Sequence, residues 1–267
     1  MKYGLIHYNT PGDTLEEFLD YTAETGFDAV ELFSSLAMRE DVDDPLKEAE
    51  TVRKKVEERG LVVCALGAGN DFVLLDEDQI KVQVERMEQV CKVAQALGTN
   101  IIRTEGGRQK EEVPADKECE AMAECLKRCV DFIERDDIYL GVDNHGTVTN
   151  DAELQVRLFE MVDSNHVGAT LDTMNYRWMG HSVETCNRFY DLVAPYVFHT
   201  HVKDGSGSRQ DYVGAALGEG EIDLNHALQA LKKAEYSGVI CAEWEGRGDK
   251  GEGYAKCLQW MKTNITD

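Results

Sequence analysis

Residues 138–172, IYLGVDNHGTVTNDAELQVRLFEMVDSNHVGATLD, contain two apolar β-runs, and each run ends on an aspartate. The first run closes at Asp143 and the second at Asp172, 29 residues later. His201 closes another run after a further 29 residues, and Glu243 closes one 42 residues after that. Intervals of this size are typical of one strand plus one helix per unit. If the strands are parallel neighbours, the four side chains converge at one end of a barrel.

Apolar runs bounded by turn signals alternate with helical patterns from end to end of the chain. Thr14 with Glu17, and Asn150 with Glu153, have the spacing of the residue pairs that cap helix starts. The runs themselves predict eight strands, at residues 2–7, 28–33, 61–66, 100–104, 138–143, 167–172, 196–202 and 238–243.

Eight strand-helix units in 267 residues predict an α/β protein with a (β/α)₈ TIM barrel fold. A doubly wound open sheet is the structural alternative. Because no linker or low-complexity tract divides the chain, we expect a single barrel domain over residues 1–267. The longest predicted loop is glycine-rich and runs from Asp204 to Glu221 after strand 7, which accounts for the long last interval.

Charge and apolar content exclude several classes of partner. A formal net charge of −23 would repel a phosphate backbone, so we expect no nucleic-acid partner. No apolar run is long enough to span a bilayer, and the N-terminus opens into a strand without a signal pattern, which favours a cytoplasmic protein with no membrane partner. The eight cysteines form no C-x-x-C motif, and Cys125 and Cys129 share a helical face with apolar residues, so we interpret them as buried thiols.

Three carboxylates and one imidazole at strand ends make an oxygen-rich set of potential ligands. Such a set suits Mn²⁺ first, with Mg²⁺, Co²⁺ and Zn²⁺ as alternatives, and it differs from a closed structural zinc site, which prefers thiolate and imidazole. A single aspartate at a strand end often only caps the next helix, but four residues in register favour a metal site formed by Asp143, Asp172, His201 and Glu243.

Five segments resemble the xylose isomerase-like TIM-barrel family, a group of sugar and sugar-phosphate isomerases and epimerases that is related to endonuclease IV: VDNHG at 142–146, LDTMNYRWMG at 171–180, HTHVKDG at 199–205, LGEGEID at 217–223 and AEWE at 242–245. The resemblance implies a divalent metal held by an acid on strand 5, Asp on strand 6, His on strand 7 and Glu on strand 8. Two positions depart from the family pattern: Asp143 stands where members often carry Glu, and Asn175 where many carry His.

The activity implied by the resemblance is metal-assisted enolisation of a keto or aldo sugar or a sugar derivative. Glu243 and Asp143 are then the catalytic acid–base pair, one removing a proton beside the carbonyl and the other returning it, which describes an isomerase or epimerase. A dehydratase or lyase acting on a 3-keto sugar, keto-glycoside or inosose is the first alternative. An endonuclease IV-like nuclease and a non-catalytic carbohydrate-binding or partner subunit are the others. As partners we expect a small carbohydrate substrate and a second copy of the same chain in a homo-oligomer.

Several residues near the strand ends are candidates for substrate binding. By strand alternation, His145 lies on the same side as Asp143. Of the alternating pair His199 and His201, the motif favours His201 as the ligand. Lys203 either neutralises an oxyanion or pairs with Asp204.

The remaining candidates lie on loops. Asn175 and Trp178 follow strand 6, and Trp178 either stacks on a sugar ring or packs the loop onto the barrel. His7 lies at the end of strand 1, at the edge of the barrel mouth. Arg247 lies in residues 246–251, a G-x-G-x-x-G match with too little chain after it for a dinucleotide fold. We interpret that segment as a phosphate-binding loop or an ordinary flexible loop.

Overall fold

A closed barrel of eight parallel strands forms the centre of the computed structural model, which describes residues 1–265. The barrel order is β1-β10-β7-β6-β5-β4-β3-β2, so the open-sheet alternative is wrong and the predicted TIM barrel is confirmed. The ten strands, two of which lie outside the barrel, are β1 Tyr3–Ile6, β2 Ala29–Phe33, β3 Val62–Gly67, β4 Ile101–Glu105, β5 Tyr139–Asp143, β6 Val167–Asp172, β7 Val197–Val202, β8 Asp204–Ser206, β9 Val213–Ala215 and β10 Ile240–Ala242.

Helices cover the outside of the barrel and bury one apolar face each against it. The α-helices are α1 Leu15–Thr25, α2 Pro45–Glu57, α3 Glu77–Leu97, α4 Glu118–Arg135, α5 Ala152–Val162, α6 Asn175–Met179, α7 Val183–Val193, α8 Leu224–Lys233 and α9 Lys250–Asn264. Short 3₁₀ helices lie at Ser34–Leu36, Ala115–Lys117 and Ala194–Tyr196. No helix within residues 1–265 has the length and apolar character that crossing a bilayer requires.

Local hydrogen bonds fix where helices begin. Thr14 and Glu17 form the expected capping box at the start of α1. The second capping pair is wrong, because α5 is capped by Asp151, whose carboxylate accepts the backbone N–H groups of Glu153 and Leu154. Asn150 instead donates its side-chain amide to the carbonyl of Gly146. The eight cysteines are free and buried, as expected.

The segment after β7 is not strand-free, contrary to the expectation from its glycines. β8 and β9 form an antiparallel hairpin there, with Gly205 opposite Gly214. Asp204 holds the chain that follows the hairpin close to its start. Its carboxylate accepts hydrogen bonds from the backbone N–H groups of Gly205, Gly218, Gly220 and Ile222. The strands are short and lack the long apolar run from which strands are recognised in a sequence.

Two bulges modify the barrel register. Val30 pairs with Val63 and Glu31 with Ala65, so Cys64 is an extra residue in β3. The same irregularity occurs between β6 and β7, where Ala169 pairs with Val197 and Thr170 with His199. Bulges change the direction in which neighbouring side chains project. Both lie in strands that contribute polar groups to the barrel interior.

Candidate metal and catalytic site at the barrel mouth

Three of the four predicted ligands meet at the carboxyl end of the barrel. Asp172 ends β6, His201 lies beside it in register on β7, and Glu243 follows the last residue of β10. One ligand atom from each residue lies within 4.8 Å of the others, and all three side chains are buried. β6, β7 and β10 are consecutive in the barrel, which explains why residues far apart in sequence come together.

Glu31, in the middle of β2, holds both histidines of β7. Its Oε2 lies 2.5 Å from Nε2 of His201 and 2.7 Å from Nε2 of His199. Burial opposes the ionisation of Glu31, but His201 and Arg103 outweigh it and keep the pKa of that carboxyl well below its usual range. Glu31 is therefore a buried carboxylate, and it orients the imidazoles.

The pKa values of the two histidines are shifted in opposite directions. For His201, burial acts to lower the pKa, but Glu31 and Glu243 raise it well above its usual range. Its Nδ1 lies 3.1 Å from Oε2 of Glu243. For His199, burial dominates and the pKa is lowered. Because Nε2 of His201 is committed to Glu31, Nδ1 is the nitrogen that faces the metal-ligand cluster.

Asp143, the fourth predicted ligand, has a different partner. Nη1 of Arg103 lies 3.1 Å from its Oδ2, while Nε of the same arginine lies 2.7 Å from Oε1 of Glu31. The other carboxylate oxygen of Asp143 is buried and has no hydrogen-bond partner among the described residues. Asp143 thus does not join the three-residue cluster, and it keeps one oxygen free for a ligand.

Lys203 places an ammonium group among the carboxylates of the mouth. Its Nζ lies 3.2 Å from Asp172, 3.2 Å from Glu243 and 3.3 Å from Glu245. Burial acts to lower the pKa of Lys203, but these three acids raise it well above its usual range. The predicted pairing with Asp204 is wrong, because Asp204 is occupied by backbone N–H groups. The alternative role, neutralising an oxyanion, stays a prediction.

Asp172 has two functions in the fold. Its Oδ1 accepts the backbone N–H groups of Met174 and Asn175, so it caps the turn that leads into α6. Its Oδ2 contacts Lys203. Burial raises the pKa of Asp172 to about 6, although the charge of Lys203 acts in the opposite direction. Capping and a place in the ligand cluster are therefore compatible for this residue.

The donor set fits a divalent cation. Two carboxylates and an imidazole suit Mn²⁺, Mg²⁺, Co²⁺ or zinc with open positions, and the free buried oxygen of Asp143 is a further hard donor at the same end of the barrel. Asp172, His201 and Glu243 would hold the ion, with Glu31 bound to the second nitrogen of His201 as metal-ligating histidines require. Lys203 competes with the ion for two of these carboxylates.

The predicted substrate-binding residues that follow β5 and β6 differ in their exposure to solvent. His145 is exposed in the loop after β5, and its backbone N–H donates to Thr149. Asn175 is buried at the first position of α6, and its side-chain nitrogen has no partner among the described residues. Trp178 is half-buried in α6, with the guanidinium of Arg209 5.4 Å from its ring centre. Asn175 therefore offers an uncommitted donor close to Asp172.

His7 and Arg247 lie farther out. His7 is half-buried and stacks on Phe18 with ring centroids 4.2 Å apart, and burial lowers its pKa. Arg247 is exposed in the loop after β10. That loop borders a cavity of about 300 Å³ whose charged lining residues are Arg247, Lys256, Glu219, Asp249 and Glu252. Because acids outnumber cations there, the lining favours the ordinary-loop interpretation over phosphate binding.

Four residues of the site escaped the sequence analysis: Glu31, Arg103, Asn144 and Glu245. For Glu31 and Arg103, the available signal was a charged residue in the middle of an apolar strand, AVELF for the first and IIRTE for the second. Asn144 joins the ends of β5 and β6, because its side-chain amide donates to the carbonyl of Asp172 and accepts the N–H of the same residue. No spacing rule indicates such contacts, since each depends on which strands become neighbours.

Solved structures with the same fold cover nearly the whole chain. IolI, crystallised with a bound zinc atom, superposes with a TM-score of 0.81 at 17% identity, covering 100% of both chains. The 3-keto-D-glucoside 4-epimerase YcjR of E. coli gives 0.78 at 18% identity, covering 98% of this chain and 99% of that one. The probable 3-DHS dehydratase AsbF of Bacillus anthracis gives 0.78 at 17%, covering 100% of both. At these identities the likeness establishes the fold.

Sequence comparison identifies the family. An uncharacterized protein of Methanocaldococcus jannaschii, MJ1311, is 25% identical over 122 residues, which is 44% of this chain and only 41% of that relative. Residues 19–264 match the family model described as xylose isomerase-like TIM barrel. The chain belongs to that family.

Proposed function

We propose that this member of the xylose isomerase-like TIM barrel family is a divalent-metal-dependent isomerase or epimerase of a keto or aldo sugar or a sugar derivative. The observation that carries the proposal is the buried cluster of Asp172, His201 and Glu243, with the free carboxylate oxygen of Asp143 at the same end of the barrel. Such a combination of hard ligands and an additional acid–base group is what proton transfer beside a carbonyl requires.

A divalent ion held by Asp172, His201 and Glu243 would supply Lewis acidity that stabilises negative charge on the substrate oxygens. Lys203 adds a permanent positive charge, because its ammonium is surrounded by three carboxylates and stays protonated. In a buried site this charge is only weakly screened by water. The chain thus has its own cation to stabilise the oxygen of an ionised substrate.

Proton transfer is assigned to Glu243 and Asp143. One removes the proton from the carbon beside the carbonyl, and the other delivers a proton to the opposite face, so that the configuration inverts and no net proton is consumed. Arg103 holds one oxygen of Asp143 and leaves the other available. With aspartate in place of glutamate, this carboxylate reaches less far, so the choice of substrate depends on how closely its reacting carbon approaches Asp143.

Elimination from a 3-keto sugar, keto-glycoside or inosose is the second candidate, and Glu245 is the observation that favours it. Its carboxylate lies 3.3 Å from Lys203 and its side chain is one quarter exposed, so a third acid reaches the site from the loop after β10. Such a group can protonate a departing β-oxygen after Glu243 has removed the neighbouring proton. The product then carries a new carbon–carbon double bond and water or an alcohol is released.

Solvent exchange of the substrate tests the proposal. The protein is incubated with Mn²⁺ in D₂O and a panel of keto sugars and inososes, and each product is analysed by NMR. Deuterium beside the carbonyl in a stereoisomer supports an epimerase, and an unsaturated product supports a lyase. Glu243→Gln should lose the exchange, whereas Glu252→Gln, an exposed residue of α9, should keep it. Binding of a sugar without exchange or elimination would contradict both reactions.

The remaining expectations concern context. The net charge of −23 speaks against a nucleic-acid partner, and a small carbohydrate is the substrate that this proposal requires. Manganese as the metal, a cytoplasmic location, a homo-oligomeric state and a single domain over the full 267 residues stay predictions.

A further inference from the structure

A group of potential metal ligands that contains thiols lies inside the barrel, in addition to the mouth cluster and to the group of Glu31, His199 and His201. It consists of Cys64, His199 and Cys241, and one ligand atom of each lies within 4.8 Å of the others. Among the residues that the structure describes, it is the one such group that contains a thiol. The two cysteines belong to β3 and β10, which are separated in the barrel by β1 and β2, so the contact crosses the interior.

Local backbone features bring the two thiols together. Cys64 is the extra residue of the bulge in β3, and a bulge redirects side chains. Cys241 is in register with His201 on one side and with Gly4 on the other. A Cβ atom at Gly4 would lie 3.4 Å from the sulfur of each cysteine and 2.8 Å from Cγ1 of Val239, so a glycine is what fits between these side chains.

We infer that Cys64, Cys241 and His199 form a second metal site, of sulfur and nitrogen donors, that takes zinc or a similarly thiophilic divalent ion. This site is independent of the proposed activity. Thiolates and imidazole are the preferred ligands of zinc, and three of them leave one coordination position for water. The mouth cluster, with two carboxylates, prefers harder ions. The two sites therefore differ in the kind of metal that they select.

The charge balance favours such an ion in the interior. When the ion binds, each thiol loses one proton to solvent, and the two thiolates neutralise the double positive charge without any change of oxidation state. Burial of a neutral complex avoids the cost of burying a net charge. Nε2 of His199 is held by Glu31 at 2.7 Å, which leaves Nδ1 as the nitrogen available for coordination and matches the carboxylate support of metal-bound histidines.

Cobalt titration of the metal-free full-length chain, in the presence of a non-thiol reductant, tests this inference. We expect two equivalents of Co²⁺, one of them with a sulfur-to-cobalt charge-transfer band in the near ultraviolet. Cys64→Ala and Cys241→Ala should each lose that band. Cys257→Ala removes a buried thiol outside the group and should keep it.

Asp172→Asn separates this site from the mouth site. This variant should bind one equivalent of Co²⁺ fewer than the wild-type chain and keep the sulfur-to-cobalt band. If the wild-type chain shows the band but binds a single equivalent of Co²⁺, that result supports the thiol site and contradicts the mouth site. X-ray absorption of the zinc-loaded wild-type chain, which needs no variant to fold, should show sulfur at about 2.3 Å. A wild-type protein without the band, a band that survives both cysteine variants, or zinc without sulfur neighbours would overturn the inference.

Discussion

His201 and Glu31 make a contact across the barrel, with Nε2 of the histidine 2.5 Å from Oε2 of the glutamate. Their strands, β7 and β2, are separated by β10 and β1. The contact fixes which nitrogen of His201 is left to face Glu243, at 3.1 Å. A carboxylate in this position raises the basicity of a ligating imidazole and holds its ring. Glu31 is thus a positioning residue for the proposed metal site.

Glu31→Gln should weaken metal binding without removing a ligand. Loss of such supporting carboxylates typically lowers metal affinity by about 10–100-fold. The change also leaves Arg103 with one fewer buried partner, so we expect a lower melting temperature of the metal-free protein. Competition titration with a fluorescent chelator measures the affinity. Glu16→Gln, which alters an exposed ion pair with Lys55, is the control and should change neither quantity. An unchanged Mn²⁺ affinity in Glu31→Gln would show that Glu31 does not position His201 for the metal.

Asp172 and Asp143 should separate metal binding from turnover. Asp172→Asn removes a member of the ligand cluster, so it should abolish turnover and the binding of Mn²⁺ at the mouth. Asp143 lies outside that cluster and contacts Arg103. In Asp143→Asn, Nε of Arg103 should keep its contact of 2.7 Å with Oε1 of Glu31, so the metal should still bind at the mouth. Turnover should nevertheless fall by roughly 10²–10⁴-fold, the usual contribution of a general acid or base. The measurements are metal stoichiometry and the rate of solvent exchange. Full activity in Asp143→Asn would leave Glu243 as the only proton-transfer group.

The fold could be predicted because each barrel strand is an apolar run with a definite end. β6 begins and ends at the predicted residues, and β1 to β5 and β7 differ by one residue at most at each end. The hairpin of β8 and β9 was missed, since three-residue strands with glycine carry no periodicity. The capping pattern predicts the start of α5 one residue too early, at Asn150, because Asp151 offers the same chemistry at the next position.

The candidate site was predictable in position but less so in its contacts. Strand ends indicated where Asp172, His201 and Glu243 would lie, since parallel strands share one carboxyl edge. The partners of Asp143 and Lys203 depend on side chains that reach across the barrel from other strands. Sequence spacing contains no information about such distances, and the same is true of Cys64, whose position follows from a bulge.

Lys203→Met should tighten the binding of a divalent cation at the mouth. The ammonium contacts Asp172 and Glu243 at 3.2 Å each, so its removal frees both carboxylates for the ion. Without metal, three buried or partly buried acids lose their cation, and we expect the protein to lose about 3–5 kcal/mol of unfolding free energy. Added Mn²⁺ should restore much of this loss, as measured by thermal unfolding with and without the ion.

Lys256→Met is the control for Lys203→Met. Its ion pair with Glu219 is exposed, and such pairs contribute little to stability, so neither the melting temperature nor its response to Mn²⁺ should change. If Lys203→Met binds Mn²⁺ more weakly than wild type, then the lysine supports the ion instead of competing with it. That result would reverse the role given to Lys203 while leaving the three ligands in place.

Asp204→Ala should destabilise the hairpin segment that follows β7. The buried carboxylate accepts four backbone N–H groups, from Gly205, Gly218, Gly220 and Ile222, and alanine leaves them without an acceptor. Hydrogen bonds to a charged group contribute about 1.5–3 kcal/mol each, and they are not additive, so a loss of about 3 kcal/mol or more is expected. Urea unfolding measures the loss, and hydrogen exchange should locate it at β8 and β9. Asp211→Ala, in the same segment, removes an exposed carboxylate that accepts hydrogen bonds from the backbone N–H and the hydroxyl of Ser208, and it should have a much smaller effect. Equal effects of the two variants would show that Asp204 is not the anchor of the segment.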